Sequence, residues 1–152
     1  MAIYAEPNET MCPPGSGWAA EVTFHVRYVE TDQMGVVHHS AYVPWLEEAR
    51  SALSRQYGRS YADFERGGYA LTVTELNLRF VTPARYDRAV TVRIRVTQVR
   101  SRQVCFDYEV LDAETSTRLA RGFTAHVCID RTGRPARIPP DWQEFWAGLM
   151  SR

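Results

Sequence analysis

Residues 90–110 read VTVRIRVTQVRSRQVCFDYEV. Val90, Val92, Ile94 and Val96 alternate with Thr91, Arg93, Arg95 and Thr97, the two-residue period of a strand with one apolar face. A tight turn over Arg100, Ser101 and Arg102 leads to a second alternating run, Val104, Phe106, Tyr108 and Val110. Long strands joined by short turns point to an antiparallel sheet and not to alternating βαβ units.

Working upstream, Thr82–Asp87 (T-P-A-R-Y-D) reads as a turn and Leu71–Val81 as another long strand. Before it, Ser60 and Asp63 form a capping box for a short helix over Ser60–Arg66, stopped by Gly67 and Gly68. Ser40 is placed to cap a longer helix running to Tyr57, with Tyr42, Leu46, Ala49 and Leu53 on one face. Val22, Phe24, Val26 and Tyr28 alternate as a first strand, separated from that helix by a polar, glycine-containing stretch, Glu30–His39. Downstream, Leu119–Ile129 is the last strand, closed by Asp130–Gly133. Asp141 and Glu144 then cap a helix carrying Trp142, Phe145, Trp146 and Leu149 on one face. The order predicts an α+β domain, an antiparallel sheet of about five strands wrapped around one long helix. Residues 1–20, rich in Pro, Gly, Ser and Asn, read as a flexible tail, and 21–152 as a single domain.

The 152 residues suffice for one well-formed core. Eighteen basic and eighteen acidic residues give a net charge of +0, which argues against nucleic acid or an anionic membrane surface as partner. The chain contains no lysine, so all 18 basic residues are arginine. Schiff-base and pyridoxal-phosphate chemistry, and the P-loop lysine, are thereby excluded. Phosphate or carboxylate must be held by arginine, main-chain amides or a metal. Cys12, Cys105 and Cys128 are odd in number and widely spaced, the usage of a reducing compartment, and no cysteine pair suggests a zinc site. The first residues lack a secretory pattern and no apolar run is long enough to span a membrane, so a cytoplasmic location is expected.

No G-x-S-x-G, H-E-x-x-H or G-x-G-x-x-G motif is present. The chemistry concentrates in Tyr28–Tyr42, YVETDQMGVVHHSAY. Asp32 can activate water or attack a carbonyl, and His39 stands seven positions on, at the helix entry. The amides of Val36 to Ala41 lie near the helix's positive end, where an oxyanion is stabilised. The same residues also read as a solvated turn with two exposed histidines. Glu47 and Glu48 read as surface charges on the helix, Glu75 and Asn77 as a sheet face, and His25 and His126 as structural residues within strands.

The Tyr28–Tyr42 run, followed by W-L-E-E-A-R at Trp45–Arg50, resembles the signature of hot-dog-fold acyl-CoA thioesterases. The likeness is to the 4-hydroxybenzoyl-CoA thioesterase type and the related Tol-Pal-associated enzymes. The stretches L-R-F-V-T-P-A-R-Y-D at Leu78–Asp87 and R-P-A-R-I-P at Arg134–Pro139 fit the same family, so the resemblance spans about residues 22–142. It implies hydrolysis of an acyl-CoA thioester, with coenzyme A as part of the substrate and no cofactor or metal. It implies a catalytic carboxylate at Asp32, support from Tyr28 and His39, and oxyanion donors in the main chain at Gly35, Val36 and Val37. Tyr42 reads as core, on a helix that in this fold walls an acyl pocket. Arg100, Arg102, Arg134 and Arg137, which lie at turns, read either as surface charges or as guanidinium groups that grip the coenzyme A phosphates. The implied assembly is a homodimer, doubled into a dimer of dimers. Ala41 replaces the asparagine common in the family, removing one side-chain hydrogen bond. A dehydratase or hydratase of the same fold, and a non-catalytic acyl-binding protein, are the alternatives.

Overall fold

A computed structural model describes residues 17–151; the first 16 residues, with Cys12 and most of the expected tail, lie outside the described residues. The elements are β1 (Ala20–His25), α1 (Tyr42–Gln56), α2 (Tyr61–Arg66), β2 (Tyr69–Phe80), β3 (Ala89–Val99), β4 (Gln103–Asp112), β5 (Arg118–Asp130) and α3 (Pro140–Leu149). The five strands form one antiparallel sheet in the order β1-β3-β4-β5-β2. β1 and β2 are therefore its edges.

The alternation that identifies β3 also fixes which face is covered. Val90, Val92, Ile94 and Val96 are fully buried, joined by Val104, Tyr108 and Val110 from β4. Against them lies the α1 face formed by Tyr42, Trp45, Leu46, Ala49 and Leu53, all at most 3 % exposed. Each large apolar side chain so buried contributes about 1.5–3 kcal/mol. On the opposite face of the sheet, Arg93 bridges Glu21 and Glu109, and Arg95 pairs with Asp107 at 3.0 Å. Phe64 of α2 meets Trp142 and Trp146 of α3 edge-on, closing the far end of α1.

Four local expectations change. The first strand ends at His25 and not at Tyr28, because Arg27 and Glu30 cap each other and turn Tyr28–Glu30 into a 3-10 turn. Ser40 is not the helix cap: it lies within a 3-10 turn over His39–Ala41 that His38 caps, the His38 Nδ1 accepting from the Ser40 amide at 3.2 Å, and Ala41 occupies the cap position of α1 without a side-chain bond. Asp141 does not close a capping box, since its carboxylate is held by Arg59 at 2.6 Å and Pro139 precedes α3. Ala19 and Ala20, which composition assigns to the tail, are buried, and the Ala19 amide donates to the Ile94 carbonyl. Ser60 and Asp63 do form their box.

Candidate active site

The segment between β1 and α1 folds on itself before the helix begins. Thr31 and Val37 form an isolated antiparallel bridge, closed by Asp32 N–H to the Val36 carbonyl at 2.9 Å and His38 N–H to the Glu30 carbonyl at 2.8 Å. At its tip Gly35 has φ +76°, a left-handed conformation that a side chain would strain. The loop is clamped to the T-P-A-R-Y-D turn: the Val37 amide donates to the Ala84 carbonyl, the Asp87 amide to the Val26 carbonyl, and Tyr28 meets Tyr86 edge-on at 5.6 Å. Two segments some fifty residues apart in sequence thus build one wall.

The two acids of this loop have different environments. Glu30 is 7 % exposed and accepts from the Arg27 amide at 2.8 Å, the Arg27 guanidinium at 3.1 Å and the Trp45 indole N–H at 2.9 Å. Burial alone would raise its carboxyl, but hydrogen bonds from the Arg27 amide, Trp45 and the Arg27 side chain together hold it below the ordinary value. Glu30 is thus a strut tying the loop to α1 through Trp45. Asp32 is only half-buried, and one of its oxygens accepts from the Met34 amide at 2.8 Å. That contact orients the carboxylate within an Asx-type turn and leaves the second oxygen open.

The amides at 35–37 are not equivalent. Gly35 N–H donates to the Asp32 carbonyl and Val37 N–H to that of Ala84, so neither can serve an oxyanion. Val36 N–H has no hydrogen-bond partner among the described residues and is the donor left for that role. His39 is exposed and stacks on His38 with ring centroids 4.0 Å apart, while His38 is engaged with Ser40. Tyr28 is 79 % exposed at the rim. Tyr42 is buried, packed between Trp45 and Phe80; burial raises its phenol, opposed by a hydrogen bond with the Ala84 main chain. Ala41, which the resemblance singles out, donates its amide to the His38 carbonyl.

The four arginines sit elsewhere. The Cys128 amide donates to the Arg102 carbonyl and the Ile138 amide to the Ser101 carbonyl, which lays the 100–102 turn against the 134–138 segment. This is the Tyr69 end of the sheet, where Tyr69 pairs with Asp130; the Asp32 loop is at the Phe80 end, where Phe80 touches Tyr42. Within one chain, therefore, Arg100, Arg102, Arg134 and Arg137 are brought together but not to Asp32. All four are exposed, with no side-chain partner among the described residues.

A cavity of about 330 Å³ opens beneath α1 in its second half, bounded by α2, β2 and α3. It brings together side chains that spacing treated separately or left unremarked: Glu47, Arg50, Ser51, Ser54 and His126. His126 is 1 % exposed, as expected of a structural strand residue, yet it lines this space. The sequence signal was faint, a polar Arg-Ser-x-x-Ser run on the flank of an otherwise ordinary helix.

Residues 26–146 match the model of the thioesterase-like superfamily. The chain is similar to the acyl-CoA thioester hydrolase YbgC of Escherichia coli, 30 % identical over 76 % of this chain and 82 % of the relative. It is also similar to the 1,4-dihydroxy-2-naphthoyl-CoA hydrolase of Synechocystis, 32 % identical over 78 % of this chain and 87 % of the relative. Among solved structures, protein TT1821 of Thermus thermophilus superposes with a TM-score of 0.80 at 42 % identity, covering 85 % of this chain and 98 % of that one.

Proposed function

The chain belongs to the thioesterase-like superfamily, and from that membership we propose how its own residues carry the reaction. It is a thioester hydrolase of the hot-dog fold, converting an acyl-CoA thioester to a carboxylic acid and free coenzyme A. The observation that carries the mechanism is the pairing, in one loop, of the open Asp32 carboxylate with the uncommitted Val36 amide. Asp32 either takes a proton from a water that attacks the thioester carbon, or attacks that carbon itself to form an acyl-aspartate anhydride that water then hydrolyses to the free acid and the regenerated carboxylate. The C–S bond breaks, coenzyme A leaves as the thiolate and is protonated, and negative charge on the carbonyl oxygen is stabilised by Val36 N–H. His39 and Tyr28 line the approach. Relatives whose names specify thioester hydrolysis favour this over the hydratase and acyl-binding alternatives. Thiol release measured across a panel of acyl-CoAs tests it: hydrolysis of at least one is expected, and hydration of an enoyl-CoA without thiol release would overturn it.

The site is completed by a second subunit. Of the two edge strands β2 is the longer, and Val73, Leu76 and Phe80, with Val81 beyond it, are exposed apolar residues along it. Such an edge invites pairing with a copy of itself. A two-fold axis normal to the sheet makes the paired strands antiparallel, so the Phe80 end of one β2 lies beside the Tyr69 end of the other. That pairing carries one subunit's Asp32 loop toward its partner's arginine cluster, where guanidinium groups meet the coenzyme A phosphates. Leu76→Arg is expected to yield a folded monomer of greatly reduced activity. Sedimentation of wild type and variant checks this and separates a dimer from a dimer of dimers; an active wild-type monomer would refute the shared site. No helix among the described residues is long and apolar enough to cross a membrane. A cytoplasmic setting is supported by Cys105 and Cys128, two buried thiols that are not joined in a disulfide.

A further inference from the structure

The cavity under α1 holds an arginine with donors to spare. Arg50 is 20 % exposed; its Nη1 donates to the Tyr108 hydroxyl at 3.1 Å, and its only ion-pair contact among the described residues is a long one, Nη2 to Glu47 Oε1 at 3.9 Å. Glu47 itself is 62 % exposed and mostly solvated. A guanidinium has five N–H donors, so most of those on Arg50 remain uncommitted where the side chain lines the cavity.

Behind Arg50 runs a buried relay, with Tyr108 Oη 2.8 Å from Thr124 Oγ1 and Thr124 Oγ1 2.8 Å from His126 Nε2. Its direction follows from satisfaction. Arg50 can only donate, so the Tyr108 oxygen accepts from it, and the buried Tyr108 proton has only Thr124 to go to. The Thr124 proton then goes to His126 Nε2, leaving the ring proton on Nδ1. Nδ1 has no hydrogen-bond partner among the described residues, on a ring that lines the cavity. Burial, with Arg50 nearby, lowers the His126 pKa to about 3, so the imidazole is neutral and keeps this single N–H. The chamber therefore offers two donors, a cation and a neutral N–H, against apolar walls supplied by Leu71, Phe106 and Trp146.

The β2 pairing above sets the Tyr69 half of β2, with Leu71 and Val73 of this cavity, beside the loop of the partner's Asp32. Resting on that pairing and on the hydrolase reading, we propose that this cavity receives the far end of the acyl group and that Arg50, seconded by His126, selects acyl chains ending in oxygen, as hydroxyl or carboxylate. At roughly 30 Å³ per small group, the cavity takes about ten non-hydrogen atoms, a medium-length acyl body with a polar terminus. An apolar terminus would leave the Arg50 donors buried without an acceptor, and a site built to hydrogen-bond its substrate rejects the analogue lacking that group.

The test compares hexanoyl-, 6-hydroxyhexanoyl- and adipoyl-CoA on the full chain, reading thiol release. For wild type, kcat/KM for at least one oxygen-terminated substrate should exceed that for hexanoyl-CoA on the order of 10-fold or more. A larger gain for adipoyl-CoA assigns a carboxylate, a larger gain for the hydroxy chain a hydroxyl. Arg50→Met should bring that ratio near one, and Arg50→Lys should restore part of it. Hexanoyl-CoA hydrolysed as well as both others would overturn the proposal while leaving the hydrolase reading intact. A preference that survives Arg50→Met would also overturn it, assigning the Arg50–Tyr108–Thr124–His126 relay a purely structural role. If no acyl-CoA of any kind releases thiol, the hydrolase reading falls and this one with it. The wild-type comparison needs no variant, so a poorly folding Arg50→Met does not shield the proposal.

Discussion

Asp32→Asn is expected to lower kcat by at least about 100-fold while leaving the fold intact, because it removes a positioned carboxylate and little else. Asparagine keeps an oxygen in place to accept from the Met34 amide, the 2.8 Å contact that shapes the loop. The Asp32 amide to Val36 carbonyl bond is main-chain and unaffected. What the substitution takes away is the negative charge and the basic oxygen, so only the chemical step should suffer. Unchanged thermal unfolding together with collapsed thiol release is the expected pair of results. Near wild-type turnover by the Asn variant would show that the half-buried carboxylate is only a loop former and that hydrolysis is carried elsewhere.

Glu30→Ala should have the largest effect on stability in the loop, about 3 kcal/mol, a lowering of Tm by roughly 6–12 °C for a domain of this size. Without the carboxylate, the Trp45 indole and the Arg27 amide lose their acceptor, and the Trp45 donor is left buried. Activity should fall as well, even where the chain is fully folded, since the Trp45 indole no longer ties the Asp32 loop to α1, although the His38 amide keeps its bond to the main-chain carbonyl of residue 30. The pH dependence has a definite sign. Glu30 is held below the ordinary carboxylate value of about 4.5, so its contribution is fully present above that pH and is lost as pH falls through the lower folded-state value. The stability gap between wild type and Glu30→Gln should therefore be constant at neutral pH and narrow below about pH 4.5. A gap that is flat into strong acid would mean that the carboxylate is not ionised in the folded protein.

Some of this protein is written in its sequence because the relevant forces are local or periodic. The alternation of Val90–Val96 and Val104–Val110 requires one covered sheet face, and the i, i+4, i+7 spacing from Tyr42 to Leu53 supplies the helix face that covers it. Ser60 and Asp63 cap α2 as their spacing demands, since both partners lie within one turn. The loop chemistry was also legible as a cluster: Asp32, Gly35 and the histidines are neighbours in the chain, and Gly35 does take the left-handed conformation that a glycine permits.

Other features depend on partners far away along the chain, and tertiary contact alone decided them. Glu30 and Asp32 look alike as two acids in a polar stretch, but Trp45, fifteen residues on, buries one as a strut and leaves the other open. The three amides at 35–37 are interchangeable on paper until the Ala84 carbonyl takes Val37 and the Asp32 carbonyl takes Gly35. Arg59 claims Asp141 from its expected box across eighty-two residues. Arg50, Tyr108, Thr124 and His126 come from a helix and two strands, so no spacing rule could join them. Periodicity reports which face of an element is apolar, because that is a property of consecutive residues. Which polar group finds a partner, and which is left free to act, depends on donors and acceptors that only folding brings within 3 Å.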